Sequence, residues 1–211
     1  MDTSEYWAKQ HDKYAAADWI DKPSLFAMWA IDHFPPEGKI LELGAGQAQD
    51  SRYFYENGYQ VTATDFSDRA LEIAGQKSPV AIQFQEVDLS QPMPFEDESF
   101  DVVYSHLAMH YFDQATTERL FDEVHRVLKI GGVLIALFNS TNDPEMLEGE
   151  EIEPNFIEID GIRKRYFNSA MARDFAKNFE IHVADHRGTS HKDSGKLVRL
   201  VAEKSSNSVN D

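Results

Sequence analysis

The chain has no cysteine among its 211 residues. Disulfides, thiolate metal sites and a cysteine nucleophile are thereby excluded, and a reducing, cytoplasmic setting is expected. Apolar runs are short. None approaches the roughly 20 residues that a membrane span needs, and the first residues lack the basic and apolar segments of a secretory leader. Basic residues are scarce too: 20 Lys and Arg stand against 37 Asp and Glu, a formal charge of −17. The one basic cluster, Arg163-Lys164-Arg165, follows a stretch rich in glutamate, residues 145–158. Phosphate binders concentrate Lys and Arg, so neither nucleic acid nor a membrane is an expected partner. The acidity serves solubility and favours cationic ligands.

What is present reads as one α/β domain over residues 1–204. Residues 6–17 and 24–34 carry aromatic residues at helical spacing, and Pro35-Pro36 stops the second helix. From there strands and helices alternate: strands at 39–43, 60–65, 82–87, 100–105 and 133–138, with helices at 48–57, 68–76 and 117–128 between them. Such alternation predicts a Rossmann-like, doubly wound and mostly parallel sheet with helices on both faces. After a helix at 168–177, strands at 180–185 and 197–203 are expected to close the sheet, about seven strands in all, as an antiparallel hairpin. The organisation expected is an N-terminal helical lid (1–36), a cofactor-binding core (38–139), a substrate-side loop (142–166), a C-terminal helix and hairpin (168–204) and a disordered tail (205–211).

The chemistry should sit where strands end, because ligands of open α/β sheets bind beyond the carboxyl ends at the point where strand order reverses. The first strand breaks into Gly44-Ala45-Gly46, and glycine permits positive φ and close approach of a ligand. Asp65 ends the second strand about twenty residues past the glycines, where a carboxylate can accept from both hydroxyls of a ribose. Phe66 offers an apolar face for adenine. Asp88 can accept from an exocyclic amine while the Leu89 N–H donates to a ring nitrogen. No phosphate clamp accompanies these residues. The sixth position of a dinucleotide fingerprint is Gln49, followed by Asp50, whose charge opposes a phosphate. Glu42, just before the glycines, favours an amine. Adenosine at one end and an ammonium at the other describe S-adenosylmethionine.

Residues 38–139 resemble the class I S-adenosylmethionine-dependent methyltransferases. The likeness is closest to the small-molecule, type 11 group that includes tellurite- and thiopurine-type enzymes. It runs through Leu41-Glu42-Leu43-Gly44-Ala45-Gly46, Ala63-Thr64-Asp65-Phe66-Ser67, Val87-Asp88-Leu89, Phe100-Asp101-Val102-Val103-Tyr104-Ser105 and Arg126-Val127-Leu128-Lys129-Ile130-Gly131-Gly132. Ala48 departs from it, standing where many members carry a third glycine. The resemblance implies that Glu42, Gly44, Ala45 and Gly46 receive the methionine moiety, that Asp65 and Phe66 hold ribose and adenine, and that Asp88 and Leu89 read the adenine edge. It also implies that Ser105 and His106 face the sulfonium through backbone oxygens.

Methyl transfer to a small-molecule acceptor asks mainly for alignment. A base is needed only where the acceptor carries a proton, and His110 and Tyr111 are the candidate catalytic residues of the acceptor pocket. Tyr14 and Trp19 are expected to close over the site as part of the lid. No metal site is expected, since His182, His186 and His191 do not form a chelating set. A nicotinamide-dependent oxidoreductase is the alternative, disfavoured by Gln49 and Asp50; a non-catalytic cofactor-binding module is a third reading. The acceptor, the oligomeric state (monomer or homodimer) and the role of the acidic segment 143–160 are not read from the sequence.

Overall fold

The computed structural model describes residues 3–14, 20–190 and 196–206. Five parallel strands form its centre: β1 (Lys39–Leu43), β2 (Gln60–Asp65), β3 (Gln83–Glu86), β4 (Phe100–His106) and β5 (Leu128–Asn139). Two more complete the sheet, β9 (Glu180–Asp185) and β10 (Leu197–Glu203), in the order β3-β2-β1-β4-β5-β10-β9. β10 runs antiparallel to both β5 and β9. The hairpin expected from the sequence is therefore present, with β10 inside the sheet and β9 as its edge. β1 is flanked by β2 and β4, so the chain leaves β1 in one direction and returns on the other side. That reversal opens a crevice at the carboxyl ends of β1 and β4.

Alternation along the strands divides the core. Leu41, Leu43, Leu134, Ala136 and Phe138 face one side with Leu120, Phe121 and Val124 of α5 (Gln114–Val127) and Ala172 of α6 (Ser169–Phe175). Ile40, Tyr104, Ile135 and Leu137 face the other, against Phe26 of α2 (Leu25–Ala30) and Phe54 of α3 (Gln49–Glu56). Burying a large apolar side chain contributes about 1.5–3 kcal/mol, which makes these two layers the main stabilising element.

Helix starts follow local chemistry. Ser24 caps α2 by accepting from Ala27 N, Ser67 caps α4 (Asp68–Lys77) at Ala70 N, and Asp113 caps α5 at Thr116 N. Each cap is worth about 1 kcal/mol. The second predicted helix is shorter than expected, giving way to a 3-10 turn at Ile31–His33 before Pro35. The first is α1 (Thr3–Tyr14), and residues 15–17, the remainder of the predicted helix, lie outside the described set. Of the tail expected to be disordered, residues 207–211 also lie outside it.

The segment 142–166 is not a loop. It folds into a three-stranded antiparallel meander of β6 (Glu150–Glu153), β7 (Phe156–Ile159) and β8 (Ile162–Arg165). Asp160 and Gly161 join β7 to β8, both at positive φ (51° and 81°), as a two-residue hairpin turn requires. Arg165 fastens this meander to the main body. Its guanidinium, only 2% exposed, donates to Glu153 Oε2 at 2.7 Å, to the Phe112 carbonyl at 3.2 Å and to the Pro154 carbonyl at 3.3 Å. It also lies over the rings of Phe156 and Phe175. A buried cation is tolerated because its donors are used.

Candidate active site

The β1–α3 connection forms the floor of the crevice. Gly44, Gly46 and Ala48 have φ of 69°, 55° and 59°, so three alternate residues adopt the left-handed conformation. Gly44 has a second reason to be glycine, since a Cβ there would collide with the Cβ of Ala108 in the turn after β4. The glycine loop and the post-β4 turn thus close on each other at backbone distance. Ala48 carries its methyl in a region that costs an L-residue roughly 1–2 kcal/mol.

Asp65 ties this loop to the next helix. One carboxylate oxygen accepts from Gly46 N and the other from Ser67 N, both at 2.9 Å. A carboxylate offers about four acceptor sites, so these bonds are compatible with acceptance from ribose hydroxyls. Phe66, next in the chain, is half-buried. Asp88 is exposed and accepts from Ser90 N at 2.8 Å, while Leu89 is buried beside it. The backbone draws these two strand ends together through Val87 N, which donates to the Asp65 carbonyl.

Beneath the loop lies a buried acid group. Glu42 is 3% exposed and accepts from the Ser51 hydroxyl. Burial, reinforced by the nearby Asp50 charge, pushes its carboxyl well above the usual range, with the Ser51 bond acting in the opposite sense. Asp50 is turned inward. It accepts from Ser24 N at 2.7 Å, from the Ser24 hydroxyl at 2.8 Å and from the Tyr104 hydroxyl at 2.8 Å. Its opposition to a phosphate, anticipated from the loop position, therefore acts from inside the core. Arg52 is occupied with the carbonyls of Gln47 and Ile20.

At the end of β4, Ser105 is buried with no hydrogen-bond partner for its hydroxyl. His106 places Nδ1 3.6 Å from Asp50 Oδ2 and Nε2 2.8 Å from the Ser190 hydroxyl. His110 is 1% exposed, its Nδ1 also without a partner, and its ring lies against Tyr111 at 4.4 Å between centroids. Burial, aided by the positive charge of Lys164, lowers the His110 pKa to about 3. Such surroundings favour the neutral ring near pH 7.

Tyr111 meets the lid. Trp7 of α1 packs edge-on against it at 5.3 Å, and Tyr6 packs on Trp7. Trp19 and the Tyr14 side chain, the lid residues expected from the sequence, lie outside the described residues. Glu145 accepts from Lys164 Nζ at 2.9 Å and from the Tyr166 hydroxyl at 2.8 Å. Burial and the Glu145 contact push the Tyr166 phenol upward. His182 pairs with Glu203 and His186 with Ser140, and His191 lies outside the described residues. Sequence reasoning did not single out Trp7, Glu145 or Tyr166 as site residues. Only the loop's position after β5 hinted at the last two.

S-adenosylmethionine fits this crevice on its own terms. A loop whose glycines hold positive φ, an unpartnered buried Ser105 hydroxyl and acceptors led by the carboxylates of Glu42 and Asp65 suit an adenosyl amine without phosphate.

Comparison with known proteins agrees. Residues 41–136, a little under half of the chain, match a family described as a methyltransferase domain. An uncharacterized methyltransferase of Synechocystis is 34% identical over 109 residues, 51% of this chain and 50% of that protein. The chain spans half or less of the length of such curated relatives. Among solved structures, an S-adenosylmethionine-dependent methyltransferase of Methanosarcina mazei superposes with a TM-score of 0.71 at 21% identity, over 84% of this chain and 97% of that one. The 1,6-didemethyltoxoflavin-N1-methyltransferase of Burkholderia thailandensis, solved with that compound and S-adenosylhomocysteine, gives 0.71 at 16% identity, over 97% and 86%. Sheet order and sequence match agree: residues 41–136 match a methyltransferase-domain family, and the strand order is shared with the S-adenosylmethionine-dependent methyltransferase structures that the chain superposes on.

Proposed function

We propose that the protein transfers a methyl group from S-adenosylmethionine to a small-molecule acceptor. The observation that carries this reading is the Gly44–Gly46 cradle, braced by Asp65 and closed by the post-β4 turn. When bound, the cofactor supplies an electrophilic methyl group on a sulfonium. The chain's part is to bind, orient and exclude water. In this reading Gly44, Ala45 and Gly46 receive the methionine portion through backbone, and Glu42 balances its ammonium. Asp65 takes the ribose hydroxyls, Phe66 flanks adenine, and Asp88 with the Leu89 N–H reads its edge. The backbone of Ser105 and His106 borders the sulfonium.

The acceptor is assigned to the space between Trp7, Tyr111, His110 and the Glu145–Lys164–Tyr166 group. Aromatic walls of that kind suit a compact, partly apolar molecule. The Burkholderia structure holds 1,6-didemethyltoxoflavin beside S-adenosylhomocysteine, which supports a small-molecule acceptor here. His110, neutral at physiological pH, serves as a hydrogen-bonding wall, and Tyr111 shapes the pocket. The absence of cysteine suits a cytoplasmic setting.

Titration calorimetry with S-adenosylmethionine and S-adenosylhomocysteine tests the reading. Both are expected to bind, with Asp65→Ala weakening each at least tenfold. Unchanged affinity in that variant would contradict the assignment.

A further inference from the structure

We propose that His106, paired with Asp50, is the proton acceptor of this site and that its substrates are acceptors whose nucleophilic atom carries a proton, such as phenols or N–H heterocycles. The proposal rests on the methyltransferase reading for its site, but the pair itself is a separate observation.

His106 is the last residue of β4 and Asp50 lies in the first turn of α3, so the two partners reach the crevice from either side of the glycine loop. The distance from Nδ1 to Asp50 Oδ2 is 3.6 Å. That is longer than a hydrogen bond but within the range where a carboxylate strongly favours an imidazolium. The other ring nitrogen, Nε2, meets the Ser190 hydroxyl at 2.8 Å. Ser190 lies between β9 and β10 on the crevice side of the sheet, and its carbonyl accepts from Leu25 N at the start of α2. One imidazole nitrogen therefore faces a buried carboxylate, and the other faces a small hydroxyl that a substrate hydroxyl or N–H can replace.

Among the described residues, Asp50 approaches from α3, Tyr104 from β4, Ser190 from the β9–β10 connection and His110 from the turn after β4; Phe26 of α2 stacks on the ring at 6.1 Å. Asp50 is held in place by Ser24 and Tyr104, both donating to it. It is thus a positioning residue that points a fixed negative charge at His106. His110, held neutral, adds no competing positive charge near pH 7. Two histidines four residues apart are thus given opposite surroundings, and among the described residues a carboxylate faces His106 while Lys164 faces His110.

The proton balance is simple. As the acceptor's nucleophilic atom forms its bond to the methyl carbon, its proton passes to His106 Nε2 and the carbon–sulfur bonding pair remains on sulfur. The imidazolium, stabilised by Asp50, afterwards yields its proton to water. Acceptors that carry no proton make no use of the pair.

The test uses the full chain with ¹⁵N-labelled histidine. Above its titration midpoint, His106 is expected to hold its proton on Nδ1 and leave Nε2 bare. D50N should lower that midpoint by about 1–3 units. A proton found on Nε2 in the unaltered protein, or a midpoint that D50N leaves in place, overturns the proposal. The tautomer decides the matter even if D50N folds poorly, because it is read on the unaltered chain. Calorimetry with S-adenosylhomocysteine separates the two readings. H106N should retain affinity within about threefold while losing at least about 100-fold in transfer to any phenol or N–H heterocycle that the unaltered enzyme methylates. Loss of cofactor affinity in H106N would make His106 structural and overturn the proposal. Failure of the unaltered protein to bind would instead sink the methyltransferase reading and leave the pair intact.

Discussion

Replacing Gly44 with alanine separates two physical demands that the structure places on one position. The first is conformational: φ is 69°, and an L-residue there costs roughly 1–2 kcal/mol. The second is steric: the new methyl would collide with the Ala108 side chain, an overpacking that costs roughly 1–3 kcal/mol. Together they give a destabilisation of about 2–5 kcal/mol. For a chain of this length about 3 kcal/mol lowers Tm by roughly 6–12 °C. Ala108→Gly in the same chain removes the obstructing methyl, so the double variant should recover the steric part and keep the conformational part. Urea unfolding of the three variants, with calorimetry of S-adenosylhomocysteine alongside, measures both. The reasoning is refuted if G44A unfolds within about 0.5 kcal/mol of the unaltered protein, or if A108G brings no recovery. The contact is predicted to couple the two residues, so strict additivity would contradict it as well.

Other consequences are open to simple measurement. Ala48→Gly relieves a positive φ of 59° but gives up a buried methyl worth about 0.8 kcal/mol; thermal unfolding should show a change between neutral and about 1 kcal/mol of stabilisation. Arg165→Ala leaves the Phe112 and Pro154 carbonyls and Glu153 without the guanidinium, so chemical unfolding should report a loss of about 3–5 kcal/mol.

 Lysine at that position should not restore it, because a single ammonium cannot span the same three acceptors. His110 links stability to pH. Its folded pKa, about 3, lies below the unfolded value of about 6.5. Its contribution is therefore complete above about pH 6.5 and is lost as pH falls towards 3, by a few kcal/mol at the lower end. Unfolding measured from pH 7 to pH 4 should show a decline that His110→Gln flattens; an equal decline in both proteins would refute the assignment.

Much of the sheet could be read from local pattern. The apolar run ending at Leu43 and the β-branched run ending at Asp65 stop where the sequence says they should, as do both strands of the C-terminal hairpin. Short apolar runs bounded by glycine or acid residues leave little choice of register. The meander was missed for a different reason. Its strands are only four residues long and heavily charged, so apolar periodicity is weak, although Asp160-Gly161 between Ile159 and Ile162 is a strong hairpin signal. The inward turn of Asp50 was also beyond local reading. Its partners Ser24 and Tyr104 lie 26 and 54 residues away, and nothing near Asp50 in the sequence names them. The lowered basicity of His110 follows from the same cause, since burial is a property of the packed molecule. Within the lid, helical spacing could not tell Trp7 from the other aromatic residues of the N-terminal segment.

A crystal structure of the chain with S-adenosylhomocysteine tests the central claim most directly. The account predicts adenosine across Phe66 and Leu89, ribose hydroxyls on Asp65, and the amino-acid portion against the Gly44–Gly46 backbone. Ligand found elsewhere, with that crevice vacant at saturating concentration, would contradict it.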